Sequence, residues 1–158
     1  MSYVYSANEV FEMAQEIERN GARFYRNASA NVPDAPTKEL LLDLASMEDD
    51  HFQIFATMRS GLSARETESP AFDPNNEIAL YLAALADTRV FFEKTIDTAS
   101  VEGIFKAALQ AEKDSIAFYV GMKDLVPAHL GVGRIDAIVR EEMRHIRLLS
   151  DRLAALKG

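Results

Sequence analysis

The chain has 158 residues, of which 48% are apolar and 27% charged, a composition that predicts one folded domain with a substantial core and argues against disorder. Its net charge of −8 disfavours nucleic acid as a partner, because phosphate binding requires a basic surface. Since the chain contains no cysteine, disulfides, zinc ribbons and cysteine-ligated iron centres are excluded.

The first ten residues carry neither the basic nor the apolar segment of a secretory leader. No stretch reaches the roughly 20 apolar residues that a membrane span requires. We therefore expect a cytoplasmic protein without membrane contact.

Helical periodicity then predicts two long helices joined by a short loop. Ser6 is a suitable N-cap for the first helix, with Glu9 placed to complete a capping box, and two prolines end that helix near residue 31. The second helix is predicted over residues 36–60, with Gly61 as its C-cap. Its predicted buried stripe consists of Leu40, Leu41, Leu44, Met47, His51, Ile54, Phe55 and Met58.

A second pair of long helices follows after a connection of about 40 residues. The connection, residues 61–100, contains proline-rich turns, a predicted short helix over residues 77–86 and another over 90–96. The third long helix is predicted over residues 101–126 and the fourth over 132–156.

We predict a single domain over residues 1–158 that is all-α. It comprises a hairpin at 6–60, a crossover at 61–100 and a hairpin at 101–157. Two antiparallel hairpins joined by one long crossover are the arrangement of a ferritin-like four-helix bundle.

Several residues of the first hairpin recur in the second at a constant offset of 94 positions. The recurring polar residues are Glu18, Tyr25, Glu48 and His51, which return as Glu112, Tyr119, Glu142 and His145. Phe11 and Phe24 return in the same way as Phe105 and Phe118. Each hairpin thus carries one glutamate followed by a Glu-x-x-His pair, which is half of a dinuclear metal site.

All four repeated glutamates lie in apolar helical stripes. The residues one turn before and one turn after them are Ala14, Leu44, Ala108 and Ile138, and Ala22, Phe52, Ile116 and Ile146. Ionised carboxylates in a core are too costly unless they are paired or coordinated, and two divalent cations would neutralise four of them. Carboxylate with imidazole favours iron or manganese, and zinc or cobalt can substitute.

Other interpretations of these residues exist. A single Glu-x-x-His pair is common on solvated helix faces, phenylalanine-tyrosine pairs are usually core, and a duplication can retain residues that serve only packing. Packing alone, however, does not require glutamate in an apolar stripe twice in each half. His129 has no counterpart in the first hairpin, and we expect it in an exposed loop.

The chain resembles the rubrerythrin group of the ferritin-like superfamily from about residue 6 to residue 156. The segments that carry the resemblance are IERNGARFY (17–25), ASMEDDH (45–51), AEKDSIAFY (111–119) and REEMRH (140–145). It implies a pair of iron ions bound by Glu18, Glu48, His51, Glu112, Glu142 and His145.

By this resemblance, Glu48 and Glu142 would bridge the two ions. Glu18 and His51 would complete the coordination of one ion, and Glu112 and His145 that of the other. Tyr25 and Tyr119 would hydrogen-bond to the carboxylates and orient them.

Two features differ from the pattern of that group. Rubrerythrins usually carry a cysteine-ligated rubredoxin domain, which a chain without cysteine lacks, so the electron donor must be external. Peroxide-reducing members also tend to have an extra glutamate one turn before the third-helix ligand, where this chain has Leu109. The resulting set of four glutamates and two histidines is similar to the ferroxidase centre of bacterioferritin.

Three functions follow as hypotheses. The first is a di-iron oxidoreductase that reduces peroxide with an external donor. The second is a ferroxidase or iron-storage protein that reacts with dioxygen. The third is a metal-free interaction bundle. Apolar residues of the crossover, among them Leu80, Tyr81 and Leu82, further suggest a homodimer or higher homo-oligomer.

Overall fold

The computed structural model describes residues 4–87 and 100–158, and within these ranges the chain is helical without β-strands. In chain order the helices are α1 (Ala7–Ser29), α2 (Ala35–Ser60), α3 (Ala64–Glu68), α4 (Glu77–Asp87), α5 (Val101–Met122) and α6 (Gly133–Lys157). Short 3-10 turns occupy Lys123–Leu125 and Ala128–Leu130. The predicted all-α class is confirmed, and the predicted helix at 90–96 lies outside the described residues.

The ends of the first hairpin's helices follow from capping. The Ser6 hydroxyl accepts a hydrogen bond from the Glu9 amide, and the Glu9 carboxylate accepts one from the Ser6 amide at 2.8 Å. The Asp34 carboxylate accepts a hydrogen bond from the Thr37 amide at 2.9 Å at the start of α2. Gly61 caps the other end of α2. Because these bonds satisfy amides that lack helical partners, the predicted boundaries agree with the observed ones to within two residues.

The long helices form an up-down-down-up bundle. Helix α1 packs along α2 and α5 along α6. Ile104, near the start of α5, packs in one cluster with Leu41 near the start of α2, whereas Met58 at the end of α2 packs with Leu125 beyond α5. Helix α5 therefore starts at the opposite end of the bundle from the end of α2, as the crossover topology requires. No described helix is long and apolar enough to cross a membrane.

Two details differ from the predictions. Helix α5 ends at Met122, four residues early, and the chain continues as a 3-10 turn that buries Leu125 and Val126 in the core. The polar run after α2 also contains the short helix α3, whose N-cap Ser63 forms a capping box with Glu66. His129 is exposed as expected and lies 2.9 Å from the Glu66 carboxylate.

The core consists of two separate apolar layers. The first layer comprises Val10, Phe11, Ala14, Ile17, Phe55, Met58, Leu82, Phe118, Tyr119, Met122, Leu125, Val126, Ile135, Ile138 and Val139. The second layer comprises Tyr25, Ala28, Val32, Leu40, Leu41, Leu44, Ala45, Ile104, Phe105, Ala108 and Leu149. Along each long helix, the repeated glutamates occupy the turns between these two layers.

Two helical glycines are expected to respond in opposite directions to the same substitution. A Cβ at Gly21 would lie 3.5 Å from the Glu48 side chain, an ordinary contact, whereas at Gly121 it would lie 2.6 Å from the Tyr81 ring. Gly21→Ala should raise the free energy of unfolding of the metal-free protein by about 0.5–1 kcal/mol through helix propensity. Gly121→Ala should lower it by about 1–3 kcal/mol through overpacking. Urea denaturation of both variants measures the difference, and equal signs would contradict the packing of α4 on α5.

Candidate metal centre

The six predicted ligands converge on one buried cluster between the two apolar layers. Glu18 comes from α1, Glu112 from α5, and the two Glu-x-x-His pairs from α2 and α6. None of the six residues is more than 5% exposed. Their carboxylates are thus withdrawn from water, which is costly unless cations or protons compensate the charge.

The ligand atoms fall into two sets that share two glutamates. Glu18, Glu48, His51 and Glu142 offer atoms that all lie within 4.8 Å of one another. Glu48, Glu112, Glu142 and His145 do the same. Each set contains three carboxylates and one imidazole, so that two cations would each receive four residues and share Glu48 and Glu142.

Both shared glutamates direct one oxygen to each histidine. Nδ1 of His51 lies 2.9 Å from Oε1 of Glu142 and 3.7 Å from Oε2 of Glu48. Nδ1 of His145 lies 3.3 Å from Oε2 of Glu142 and 3.9 Å from Oε1 of Glu48. A carboxylate that places its two oxygens in two neighbouring sites has the geometry of a bridging ligand.

The terminal glutamates complete this arrangement. Oε2 of Glu18 lies 3.6 Å from Nδ1 of His51, and Oε1 of Glu112 lies 3.3 Å from Nδ1 of His145. The two imidazole rings are nearly parallel, with centroids 6.1 Å apart. The cluster therefore has approximate twofold symmetry, with one glutamate and one histidine on each side of the shared pair.

Many buried polar atoms of the cluster lack hydrogen-bond partners. They are Oε2 of Glu18, Oε2 of Glu112, both carboxylate oxygens of Glu142, and Nδ1 of both His51 and His145. Such atoms are rare in folded proteins, because each one left without a partner costs free energy. Two divalent cations would bind them, and carboxylate with imidazole is a donor set that suits iron or manganese.

Two buried tyrosines hold the terminal glutamates from the opposite hairpin. The Tyr25 hydroxyl donates a hydrogen bond to Oε1 of Glu112 at 2.5 Å, and the Tyr119 hydroxyl donates one to Oε1 of Glu18. Burial, together with the neighbouring carboxylates, raises the pKa of both tyrosines well above its usual value. Both hydroxyls therefore keep their protons and remain donors.

Burial also perturbs the carboxyl groups. Desolvation raises the pKa of Glu48 and Glu142 well above its usual value, and the negative charge of the other carboxylates raises it further. Desolvation likewise raises the pKa of Glu18. For Glu112, the nearby carboxyl group of Glu142 and the imidazole of His145 outweigh desolvation and lower the pKa. In the absence of metal, burial thus favours the protonated forms of Glu48 and Glu142.

The histidines are held in the protonated form. Desolvation alone would lower the pKa of His145, but the neighbouring carboxylates of Glu112 and Glu142 outweigh it and raise the pKa to about 10. Desolvation would likewise lower the pKa of His51, but the neighbouring carboxylates of Glu142 and Glu18 outweigh this effect and raise the pKa. Protons therefore balance the charge of the metal-free cluster, and a bound cation would have to displace them.

Two residues that touch the histidines were not among the predicted site residues. Nε2 of His51 lies 2.5 Å from Oε2 of Glu141, and Nε2 of His145 lies 3.0 Å from Sδ of Met47. Met47 was predicted in the buried stripe of α2, but it is 43% exposed, because its position one residue before Glu48 turns it away from the core. The missed signal is that Met47 and Glu141 are themselves separated by 94 positions.

Removal of one tyrosine hydroxyl should weaken metal binding without changing the fold. Tyr25→Phe leaves Oε1 of Glu112 without its donor, and loss of a group that orients a metal ligand typically costs 10–100-fold in affinity. Tyr81→Phe is the matched control, because its hydroxyl bonds to the Ala117 carbonyl outside the cluster. Calorimetric titration with Co²⁺ gives both affinities. An unchanged affinity in Tyr25→Phe would contradict an orienting role.

Comparison with known proteins agrees with this architecture. No family model matches the chain, and no curated protein sequence matches it. A crystal structure from Thermotoga maritima, of a protein described as a candidate ferritin-like diiron-carboxylate protein, aligns over 98% of both chains with a TM-score of 0.73 and 22% identity. The chain therefore has a ferritin-like fold, and its candidate metal centre lies inside the four-helix bundle.

Proposed function

We propose that the protein is a di-iron carboxylate oxidoreductase that reduces hydrogen peroxide with electrons from an external donor. The observation that carries the proposal is the buried, nearly symmetric cluster of four glutamates and two histidines, in which six polar atoms lack hydrogen-bond partners. Two ferrous ions held there would supply the two electrons that, with two protons, convert one hydrogen peroxide to two waters. Manganese or zinc could occupy the same ligands.

The protein's own residues would fix the geometry of this centre. Glu48 and Glu142 would hold two cations at a set separation, because each places one oxygen on either side. Tyr25 and Tyr119 would keep the terminal carboxylates in orientation. The apolar layers above and below would limit the access of water, which strengthens the electrostatic interactions inside the cluster.

The electron donor would be a separate protein or small molecule. The sequence contains no cysteine, so it offers no iron–sulfur or rubredoxin-type centre that could pass electrons inward. The proposed partners are accordingly peroxide and an external reductant.

A ferroxidase or iron-storage role is the second candidate. It is favoured by the ligand symmetry and by Leu109. Leu109 lies one turn before Glu112, at the position where peroxide-reducing rubrerythrins tend to have a glutamate. Its side chain packs against the second apolar layer. A centre of this kind would react with dioxygen while it oxidises ferrous iron. The assembly also separates the two roles, since storage calls for a cage of many subunits and the enzyme for a dimer or small oligomer.

The discriminating experiment is anaerobic. The protein is loaded with two ferrous ions per chain and mixed rapidly with hydrogen peroxide or with dioxygen, while the ferric absorbance is followed. Glu112→Ala, which removes a terminal ligand, and Glu39→Ala, which removes an exposed glutamate of α2, are run in parallel. The proposal expects oxidation with peroxide to be at least about tenfold faster, and it expects loss of the reaction only in Glu112→Ala.

The other outcomes are equally informative. Dioxygen reacting as fast or faster, with turnover of further iron, would replace the proposal with the ferroxidase. Absence of iron binding would leave the metal-free bundle, for which Glu18→Ala and Glu112→Ala should maintain or improve stability by removing buried repulsion. Sedimentation of the loaded protein then tests the assembly.

A further inference from the structure

The two histidines of the cluster differ in what their outer nitrogens contact. Nε2 of His51 lies 2.5 Å from the Glu141 carboxylate, whereas Nε2 of His145 lies 3.0 Å from the Met47 sulfur. The inner nitrogens, by contrast, face equivalent sets of three carboxylates. The chemical difference between the two sides thus lies in the residues that contact the outer nitrogens.

Met47 and Glu141 occupy the same place in the two hairpins. Each directly precedes a shared glutamate, Glu48 or Glu142, and the two are separated by the same 94 positions as the ligands. Each also contacts the histidine of the opposite hairpin. The repeat therefore preserves the position of the residue that contacts the histidine, but this residue is a methionine in one hairpin and a glutamate in the other.

A carboxylate and a thioether support an imidazole differently. An ionised carboxylate is a strong acceptor, so the Glu141 contact fixes the proton on Nε2 of His51, leaves Nδ1 to donate its lone pair, and makes that nitrogen a stronger donor. The Met47 sulfur is a weak acceptor without charge and fixes the His145 ring less firmly. Glu141 also adds one negative charge beside the His51 position alone.

We propose that Glu141 and Met47 are positioning residues that make the two metal positions unequal, so that the position completed by His51 binds its cation more tightly and fills first. The proposal rests on the metal centre of the proposed function, but it does not depend on which oxidant reacts there. It assigns roles to two residues that do not themselves contact the ions.

Both residues can be exchanged without disturbing the core. Met47 is 43% exposed, and the Glu141 side chain is 43% exposed. Neither belongs to the two apolar layers. Substitutions at these positions should therefore report on the histidines and leave the fold intact.

The experiment is an anaerobic titration of the full chain with Co²⁺, followed by calorimetry and by the hyperfine-shifted imidazole N–H resonances. In the wild-type protein we expect two binding steps whose affinities differ by about 10–100-fold, and one imidazole signal at one Co²⁺ per chain. His145→Ala should retain the tight step and His51→Ala should lose it, which assigns the order of filling.

Replacing either Glu141 or Met47 by the residue at the other position should make the affinities of the two metal positions similar. Glu141→Met should weaken the first step towards the second, and Met47→Glu should strengthen the second towards the first. In either variant, two half-populated imidazole signals should appear at one Co²⁺ per chain. Met143→Glu is the matched control, because it adds the same charge at an exposed position of α6 and should leave both affinities and the single signal unchanged.

The failures of the two proposals are distinguishable. Two equal steps in the wild-type protein, or unequal steps that persist in both Glu141→Met and Met47→Glu, overturn the inequality proposed for these residues and leave the metal centre in place. Absence of any Co²⁺ binding to the wild-type protein overturns the metal centre itself, and this inference with it.

Discussion

Replacement of Glu142 by glutamine is expected to abolish the binding of both cations. Glu142 places one oxygen beside each histidine, and a neutral amide can supply neither the charge nor the second oxygen of a bridge. At a free metal concentration of about 100 times the dissociation constant, two occupied sites stabilise the native state by about 5 kcal/mol, which corresponds to a rise in Tm on the order of 10–20 °C. The variant should show no such rise.

The metal-free form of the same variant gives the complementary result. Burial raises the pKa of Glu142 well above its usual value and so favours its neutral form, and an uncharged isostere should therefore leave the free energy of unfolding unchanged or increase it. Differential scanning calorimetry with and without Co²⁺ measures both quantities. Glu39→Gln, at an exposed position of α2, should behave as wild type. A Tm of Glu142→Gln that still rises with metal would contradict the bridging role.

Metal loading is expected to release protons near neutral pH. Without metal, the raised pKa values of His51, His145, Glu48 and Glu142 favour their protonated forms. Divalent cations that bind the same atoms must displace these protons. Calorimetric titrations in buffers of different protonation enthalpy give the number released, and a value near zero would contradict protonation of the metal-free cluster.

The same shifts give the two forms opposite dependences on pH. A pKa that is higher in the folded state than in the unfolded state contributes stability at low pH, and that contribution is lost as pH rises through the folded value, which is about 10 for His145. The metal-free protein should therefore lose stability above about pH 5, where unfolded glutamates ionise. Metal affinity rises over the same range, because fewer protons compete. The difference in Tm between loaded and metal-free protein should widen as pH increases.

The clustering of the candidate ligands could be predicted from the sequence because part of their geometry is local. Glu48 and His51 are three residues apart and share a helix face wherever the helix lies, and the repeat at Glu142 and His145 indicates that the arrangement occurs twice. The Ser6 cap of α1 could be predicted for the same reason, because it involves residues only three positions apart. The Asp34 cap of α2 is equally local, but it was not predicted.

Contacts between hairpins could not be predicted in this way. The resemblance implied that Tyr25 bonds to a carboxylate, but its partner, Glu112 of the other hairpin, was not predicted. This partner and the contact of Glu141 with His51 depend on the rotation and register of packed helices, which residue spacing does not encode. The end of α5 was predicted too late, because burial of Leu125 and Val126 in the first apolar layer overrides local helix propensity.

The hydrogen bonds of Tyr25 and Tyr119 each reach a glutamate of the other hairpin, so they also constrain the structure that one hairpin could form without the other. A hairpin that paired with an identical copy would form the same contacts under strict twofold symmetry. In such a homodimer every residue occurs on both sides, so a methionine facing one histidine would require a methionine facing the other. Joining two hairpins through residues 61–100 removes this constraint, and each copy of a position is then free to diverge. Covalent duplication thereby allows one chain to keep twin sets of candidate ligands while their neighbours become different.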